Sequence, residues 1–382
     1  MRRNRLAIVP GAQPPVDDAT PQARSKRSKA WVKPLVMGIT GVVVIVAVFV
    51  FIFPKFADYQ TAFTSLRDLS PWWILVLAIA AIANVLVYPT TADAAIPHLP
   101  FRVAFISRQV SYLVSNVIPG GGAVAAGSQY SVLATYGVAT PLAVAAVTAD
   151  AAWTFLITLG APSIAVALLV IEGRSTAAYL TAALIGLVVL VVALIVIIVA
   201  LRSSDGARRL GARFQRPVDA VMRVIHRPAP NVGDALANFH EHAADMVARR
   251  WVRLTVTNIA AQFMPMIILG VALAALGGFP HPITLVELFA AYSIASLLTS
   301  VPLTPGGLGT VDAALIGLLV AFGLDSSTAL AADLIWRLFW TLFQLLVGLG
   351  SFGWYTWDRR RGDRPLDPSA GMTNTGETAD AH

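Results

Sequence analysis

The sequence contains no cysteine. Disulfide frameworks and thiolate metal sites are therefore excluded, although this leaves the redox compartment open. Charge is scarce too: Asp, Glu, Lys and Arg make up 13% of the chain, about half of what a soluble domain carries. No glycine-rich loop ends in the Gly-Lys-Ser/Thr of a nucleotide site, so ATP is not the expected direct driver. His240-Glu241-His242 has the look of a metal motif, but histidines two apart on a helix point to different sides, and the segment reads as a solvated face. No cofactor is implied, and no signature of an enzyme is found.

What fills the chain instead is apolar. Hydrophobic residues account for 57%, and the mean hydropathy is +0.70. The runs Pro34–Phe53, Pro71–Tyr88 and Thr176–Leu201 are nearly free of charge and long enough for a hydrocarbon core that needs about 20 residues. Pro141–Ile171, Val252–Leu276 and Ala329–Trp354 are further spans. The first run starts too far from Met1, and is too long, for an ordinary cleaved signal peptide.

The formal charge of +7 is concentrated in three places. Basic residues crowd the segment before Pro34, the segment from Arg202 to Arg250, and Arg359–Arg364. The positive-inside rule makes all three cytoplasmic, which gives a multi-pass plasma-membrane protein with both termini inside. The basic balance is read as topology and anionic lipid rather than nucleic acid.

Two short phrases interrupt the apolar pattern. Ile118-Pro119-Gly120-Gly121-Gly122 and Thr304-Pro305-Gly306-Gly307-Leu308 lie 305 − 119 = 186 residues apart. At the same offset Leu133 meets Leu319, Tyr136 meets Phe322, Gly137 meets Gly323, and Ala145-Ala146 meet Ala331-Ala332. Pro and Gly break helices, and broken backbone in a bilayer is tolerated only where protein or a watery cavity covers it. Matched broken segments in two halves point to a transporter's substrate site.

The predicted fold is an all-α polytopic membrane protein, with six full spans plus two re-entrant helical hairpins in an inverted repeat. Residues 1–33 form a disordered basic cytoplasmic tail, and 34–201 form membrane half one, with hairpin 101–137. Residues 202–250 form a basic cytoplasmic loop with an amphipathic helix on Val232, Leu236, Phe239 and Met246, capped by Asn231. Residues 251–357 form membrane half two, with hairpin 285–323, and 358–382 a disordered cytoplasmic tail. If each hairpin arm crosses the membrane, the span count rises from six to about ten with the same parity.

The phrase Val301-Pro302-Leu303-Thr304-Pro305-Gly306-Gly307-Leu308-Gly309-Thr310-Val311-Asp312-Ala313-Ala314-Leu315 resembles the signature of the lysylphosphatidylglycerol synthase transmembrane-region family. Ser115–Gly121 resembles that family's earlier motif, and Leu334-Ile335-Trp336-Arg337-Leu338, with Gly348, its final arginine-bearing helix. The resemblance spans roughly Val36 to Trp354 and implies the lipid-translocating part without the aminoacyltransferase to which some relatives are fused. Two departures stand out. Gly122–Tyr130 is uncharged, with Ser128 and Gln129 polar, and the acid after the second motif is Asp312 where Glu is commoner. Transport of a lysyl lipid is therefore not carried over.

The expected site is built from Pro119, Gly120, Gly121, Thr304, Pro305, Gly306 and Gly307 as backbone elements, with Asp312, Arg337 and Arg108 as polar groups. Half-helices starting at the breaks would aim unpaired N–H groups at a phosphate, with Thr304 capping a helix that starts at Pro305. Asp333 and Arg337, four apart, can pair on one helix face. Arg108 either reaches a phosphate or snorkels to the interface, and Asp150 titrates or pairs with an arginine. One reading is a flippase or transporter for a phospholipid or lipid-linked head group. The other is a non-transporting scaffold that recruits a cytoplasmic or membrane synthase, or another lipid-modifying or cell-envelope enzyme.

Overall fold

The computed structural model describes residues 64, 67–118, 121–173, scattered positions between 184 and 219, 231–300 and 305–361. The side chains at 123, 235, 236, 238–246, 300, 305 and 361 are excepted. The expected span Pro34–Phe53, most of Thr176–Leu201, both tails, Pro119, Gly120 and Thr304 lie outside the described residues.

Every regular element among the described residues is helical. The helices described end to end are α1 (Pro71–Val87), α2 (Thr90–Ala95), α3 (Phe101–Val117), α4 (Gly122–Thr135), α5 (Thr140–Ile171), α6 (Val232–Ala275), α7 (Leu285–Leu297), α8 (Thr310–Ala321), α9 (Ser326–Arg337) and α10 (Phe343–Arg361). A π-helical turn, Leu338–Leu342, joins α9 to α10. Among the described residues, four stretches are long and apolar enough to cross a membrane: Pro71–Ala95, Thr140–Ile171, Val247–Ala275 and Ser326–Arg360. Their outer faces carry Ile74, Ile79, Ile82, Ile164, Val256, Leu346 and Leu349, all exposed. Such a surface would be a large liability in water and suits hydrocarbon.

The 186-residue offset recurs in the backbone. Helix α4 ends at Thr135 and α8 at Ala321; α5 starts at Thr140 and α9 at Ser326. Both short helices close on a glycine with positive φ, Gly137 at 84° and Gly323 at 105°. In both, the next residue's N–H reaches back to the matched leucine: Val138 to the Leu133 carbonyl at 3.0 Å, and Leu324 to that of Leu319 at 3.1 Å. This is the C-terminal motif that needs a left-handed residue, which is why glycine stands at both positions.

Each short pair is a helical hairpin, α3 against α4 and α7 against α8. One core joins Leu77 of α1 to Ile268, Leu269, Leu273, Leu315, Leu319 and Trp336 of the second half. The first half packs more small residues, among them Ala104, Ala143, Ala145, Ala146 and Ala149 around Leu133 and Trp153, which lets the helices approach closely.

Two local expectations are revised. The amphipathic segment and the following span are one helix, the 44-residue α6; the Asn231 side chain caps it by accepting from the Asp234 N–H at 3.2 Å. The side chains of Leu236, Phe239 and Met246 lie outside the described residues, as do those of His240, Glu241 and His242. Helix α8 begins at Thr310, not Pro305: residues 305–307 form a 3-10 turn, and Gly306, Gly307 and Gly309 all have positive φ, so the chain turns sharply before the helix starts. Glu287 is fully buried in a capping box with Thr284 at the start of α7.

Candidate functional site

Pro265 interrupts α6 and removes the N–H that would bond the carbonyl four residues earlier. Neighbouring elements cover the backbone there. The Tyr292 hydroxyl donates to the Gln262 carbonyl at 2.6 Å, and the Trp336 indole N–H donates to the Pro265 carbonyl at 2.8 Å. Pro265, Gln262 and Tyr292 line a cavity of about 860 Å3 that is also bordered by Gly121, Gly122, Gly306 and Gly307. Residues of both helical breaks thus face one space.

The breaks are packed to different tolerances. At Gly121 a Cβ would lie 2.6 Å from the Ile118 carbonyl oxygen and 2.8 Å from that of Val114, so the turn closes too tightly for any side chain. At Gly306, φ is +61° and a Cβ would fall 2.6 Å from the Asn116 side-chain oxygen. Asn116 sits in the last turn of α3 and donates to the Tyr112 carbonyl at 2.9 Å. The end of one hairpin arm therefore touches the break of the other hairpin.

Two buried ion pairs flank the breaks. Arg108 on α3 donates to Asp150 on α5 at 2.6 Å, and its guanidinium lies 4.1 Å from the centre of the Tyr88 ring. The other Asp150 oxygen accepts from Asn258 on α6 at 3.2 Å. In the second half Arg337 on α9 donates through Nε to Asp312 on α8 at 2.5 Å. The second Asp312 oxygen accepts from the Gly309 N–H at 2.6 Å, a carboxylate cap on the first turn of α8. Arg337 also lies 3.4 Å from both the Gly306 carbonyl and the Thr341 hydroxyl.

These placements bear on each expected residue. Arg108, Gly121, Gly306 and Gly307 border the cavity; Asp312 and Arg337 do not, being closed against one another behind the second break. Arg108 is buried and paired, so it does not snorkel. Arg337 pairs with Asp312 and not with Asp333. Asp333 lies beside Asp312, fully buried, and neither of its carboxylate oxygens has a hydrogen-bond partner among the described residues. Pro119, Gly120 and Thr304 are outside the described residues, and Pro305 is described in its backbone only.

A feature that reading by charge passed over is amide-rich. Asn84, Asn116, Gln129, Asn258, Gln262 and Gln344 all line the cavity. Asn84 donates to Gln344 at 3.0 Å, and Gln262 to Thr158 at 2.8 Å. The signal was present, since a lone amide in an apolar span is costly and marks a function or a partner.

A search of curated proteins finds no match to this chain. The sequence profile of the family described as Lysylphosphatidylglycerol synthase TM region matches residues 38–348, which takes in both hairpins, both ion pairs and all six amides. The chain is a multi-pass membrane protein and belongs to that family.

Proposed function

We propose that this protein carries a lipid from one leaflet of the plasma membrane to the other. The observation that carries the reading is the cavity of about 860 Å3, bordered by both glycine breaks, lined in part by amides and set among helices with lipid-suited outer faces. Its size falls within the roughly 300–1,000 Å3 of small-ligand sites. A head group would occupy the cavity while the acyl chains stay in hydrocarbon; no bond is made or broken. Four long helices, together with the apolar runs 34–53 and 176–201, make six spans in this reading. The two hairpins then dip in from opposite faces as an inverted repeat, with both termini cytoplasmic. The recurrence of helix ends and glycine caps at the 186-residue offset supports two related halves, and such halves rocking about a shared site give alternating access.

The test is reconstitution. Purified protein in vesicles should speed the transbilayer movement of an acyl-labelled lipid, read by loss of fluorescence to an external quencher. Gly306→Leu should abolish the acceleration while the protein remains a single species on size exclusion. If no lipid class moves faster than in empty vesicles, transport is refuted and the scaffold reading takes its place.

A further inference from the structure

Resting on the transport reading, we infer that the cavity takes an uncharged, hydroxyl-rich head group, that of a glycosylated lipid. Of the described residues that line it, only Arg108 and Asp150 carry charge, and they cancel. As charges they are committed to each other, although the buried Arg108 Nε–H has no hydrogen-bond partner among the described residues. Arg108 donates to one Asp150 oxygen at 2.6 Å, Asn258 occupies the other, and the Tyr88 ring covers the guanidinium. A phosphate that claimed Arg108 would strand Asp150, 3% exposed, and an ammonium that claimed Asp150 would strand Arg108, 8% exposed. A buried charge that loses its partner is strongly disfavoured. The first turn of α8 offers no alternative anion site, because the Asp312 carboxylate already accepts from the Gly309 N–H.

What the cavity does offer is neutral and two-sided. An amide presents donors and an acceptor together, which matches a hydroxyl that gives one hydrogen bond and takes another. Some of this capacity is unspent. Gln129 is 3% exposed, borders the cavity and makes no side-chain hydrogen bond to any described residue. The Gln344 Nε2 is likewise without a partner among the described residues. Phe155, Phe263 and Trp340 add aromatic surface to the lining, against which the C–H face of a sugar ring can lie. A ring of hydroxyls over an apolar face has the polarity this lining complements.

The experiment uses the full chain in phosphatidylcholine vesicles with fluorescent probes. These are a monohexosyl diacylglycerol, a monohexosyl ceramide, phosphatidylglycerol, phosphatidylethanolamine and lysylphosphatidylglycerol. At least one hexosyl lipid should move about tenfold faster than the three charged-head lipids, and which one moves identifies the sugar's carrier. Gln129→Leu should lower the ratio of hexosyl to phosphatidylglycerol rates about tenfold. Gln129→Glu keeps the side-chain shape and should shift preference toward the lysyl lipid, which gives a second reading if the leucine variant does not fold. A charged-head lipid moving as fast as both hexosyl lipids overturns this inference and leaves transport standing. No movement of any probe overturns the transport reading, and this inference with it.

Discussion

The cluster Asp312, Asp333 and Arg337 predicts an order of damage that simple salt-bridge counting does not. With both carboxylates ionised its formal charge is −1, yet only Asp312 holds the guanidinium and only Asp312 caps α8. Arg337→Leu leaves two acids and no cation in a site where Arg337 is 1% exposed, and should cost about 3–5 kcal/mol. Asp312→Asn weakens a charge-assisted bond and a helix cap together, about 2–4 kcal/mol. Asp333→Asn brings the formal charge to zero and loses no hydrogen bond found among the described residues, so its cost should stay within about 1 kcal/mol. The order is read from thermal midpoints in detergent by size exclusion after heating. If Asp333→Asn falls as far as Arg337→Leu, then Asp333 is the guanidinium's true partner, and the pairing across α8 and α9 is refuted.

Four further outcomes follow from local geometry. Gly306→Ala should cost about 1–2 kcal/mol from its left-handed φ alone, and more from the Asn116 contact. Gly122→Ala, with no atom within 4 Å of the new Cβ, should be neutral in the same thermal assay. Asp325 caps α9, and hydrogen bonds, first from the Ser327 hydroxyl and then from the Thr328 N–H, hold its carboxyl below the usual range. A lowered folded value gives stability that is present above the unfolded pKa and lost as pH falls through the folded one. The midpoint gap between wild type and Asp325→Ala should therefore be full at pH 7 and close under strongly acidic conditions. Asp358 accepts from Arg102 at 2.5 Å and from the Tyr136 hydroxyl at 2.8 Å, tying α10 to both arms of the first hairpin. Because Arg102 is half exposed, Asp358→Asn should cost only about 0.2–1 kcal/mol, visible as faster hydrogen exchange in the first turn of α3.

The sequence disclosed what is local and what is repeated. Helix ends at Thr135 and Ala321, and starts at Thr140 and Ser326, follow from glycine caps at a fixed offset, and such caps act within a few residues. Partners across elements were not legible. Spacing favoured Asp333 for Arg337 because four residues apart means one helix face, but a long side chain reaches a neighbouring helix as easily. The cap at Thr304 was misplaced because three glycines with positive φ postpone the helix to Thr310. Asp150 is expected to titrate or to pair with an arginine, but nothing in its spacing of 42 residues from Arg108 announces that the two satisfy each other. Gln129 aside, the amides carry a weak signal because neutral polar residues stand out less than charges, although Asn258 and Gln262, four apart, mark a polar stripe on an apolar span.

In the transport reading, the strengths of the contacts point to where the halves would part. Each hairpin is bound to the span that follows it by a buried ion pair, Arg108 to Asp150 and Asp312 to Arg337, so each hairpin should move with its span. Between the halves, α5 and α6 share a ladder: Trp153 with Thr255 at 2.8 Å, Thr154 with Asn258 at 3.0 Å, and Thr158 with Gln262 at 2.8 Å. Three rungs and a carboxylate make that contact a pivot. Asn84 on α1 and Gln344 on α10 are joined by one neutral bond at 3.0 Å, worth about 1 kcal/mol. If transport opens the protein there, a covalent bridge should stop it. The native chain has no cysteine, so Asn84→Cys with Gln344→Cys gives a clean pair for a short bis-maleimide. The bridged protein should fall to the empty-vesicle rate, while the same double variant without linker still transports. A bridged protein that moves lipid at the unbridged rate would show that the opening lies elsewhere and that this amide pair only packs two helices together.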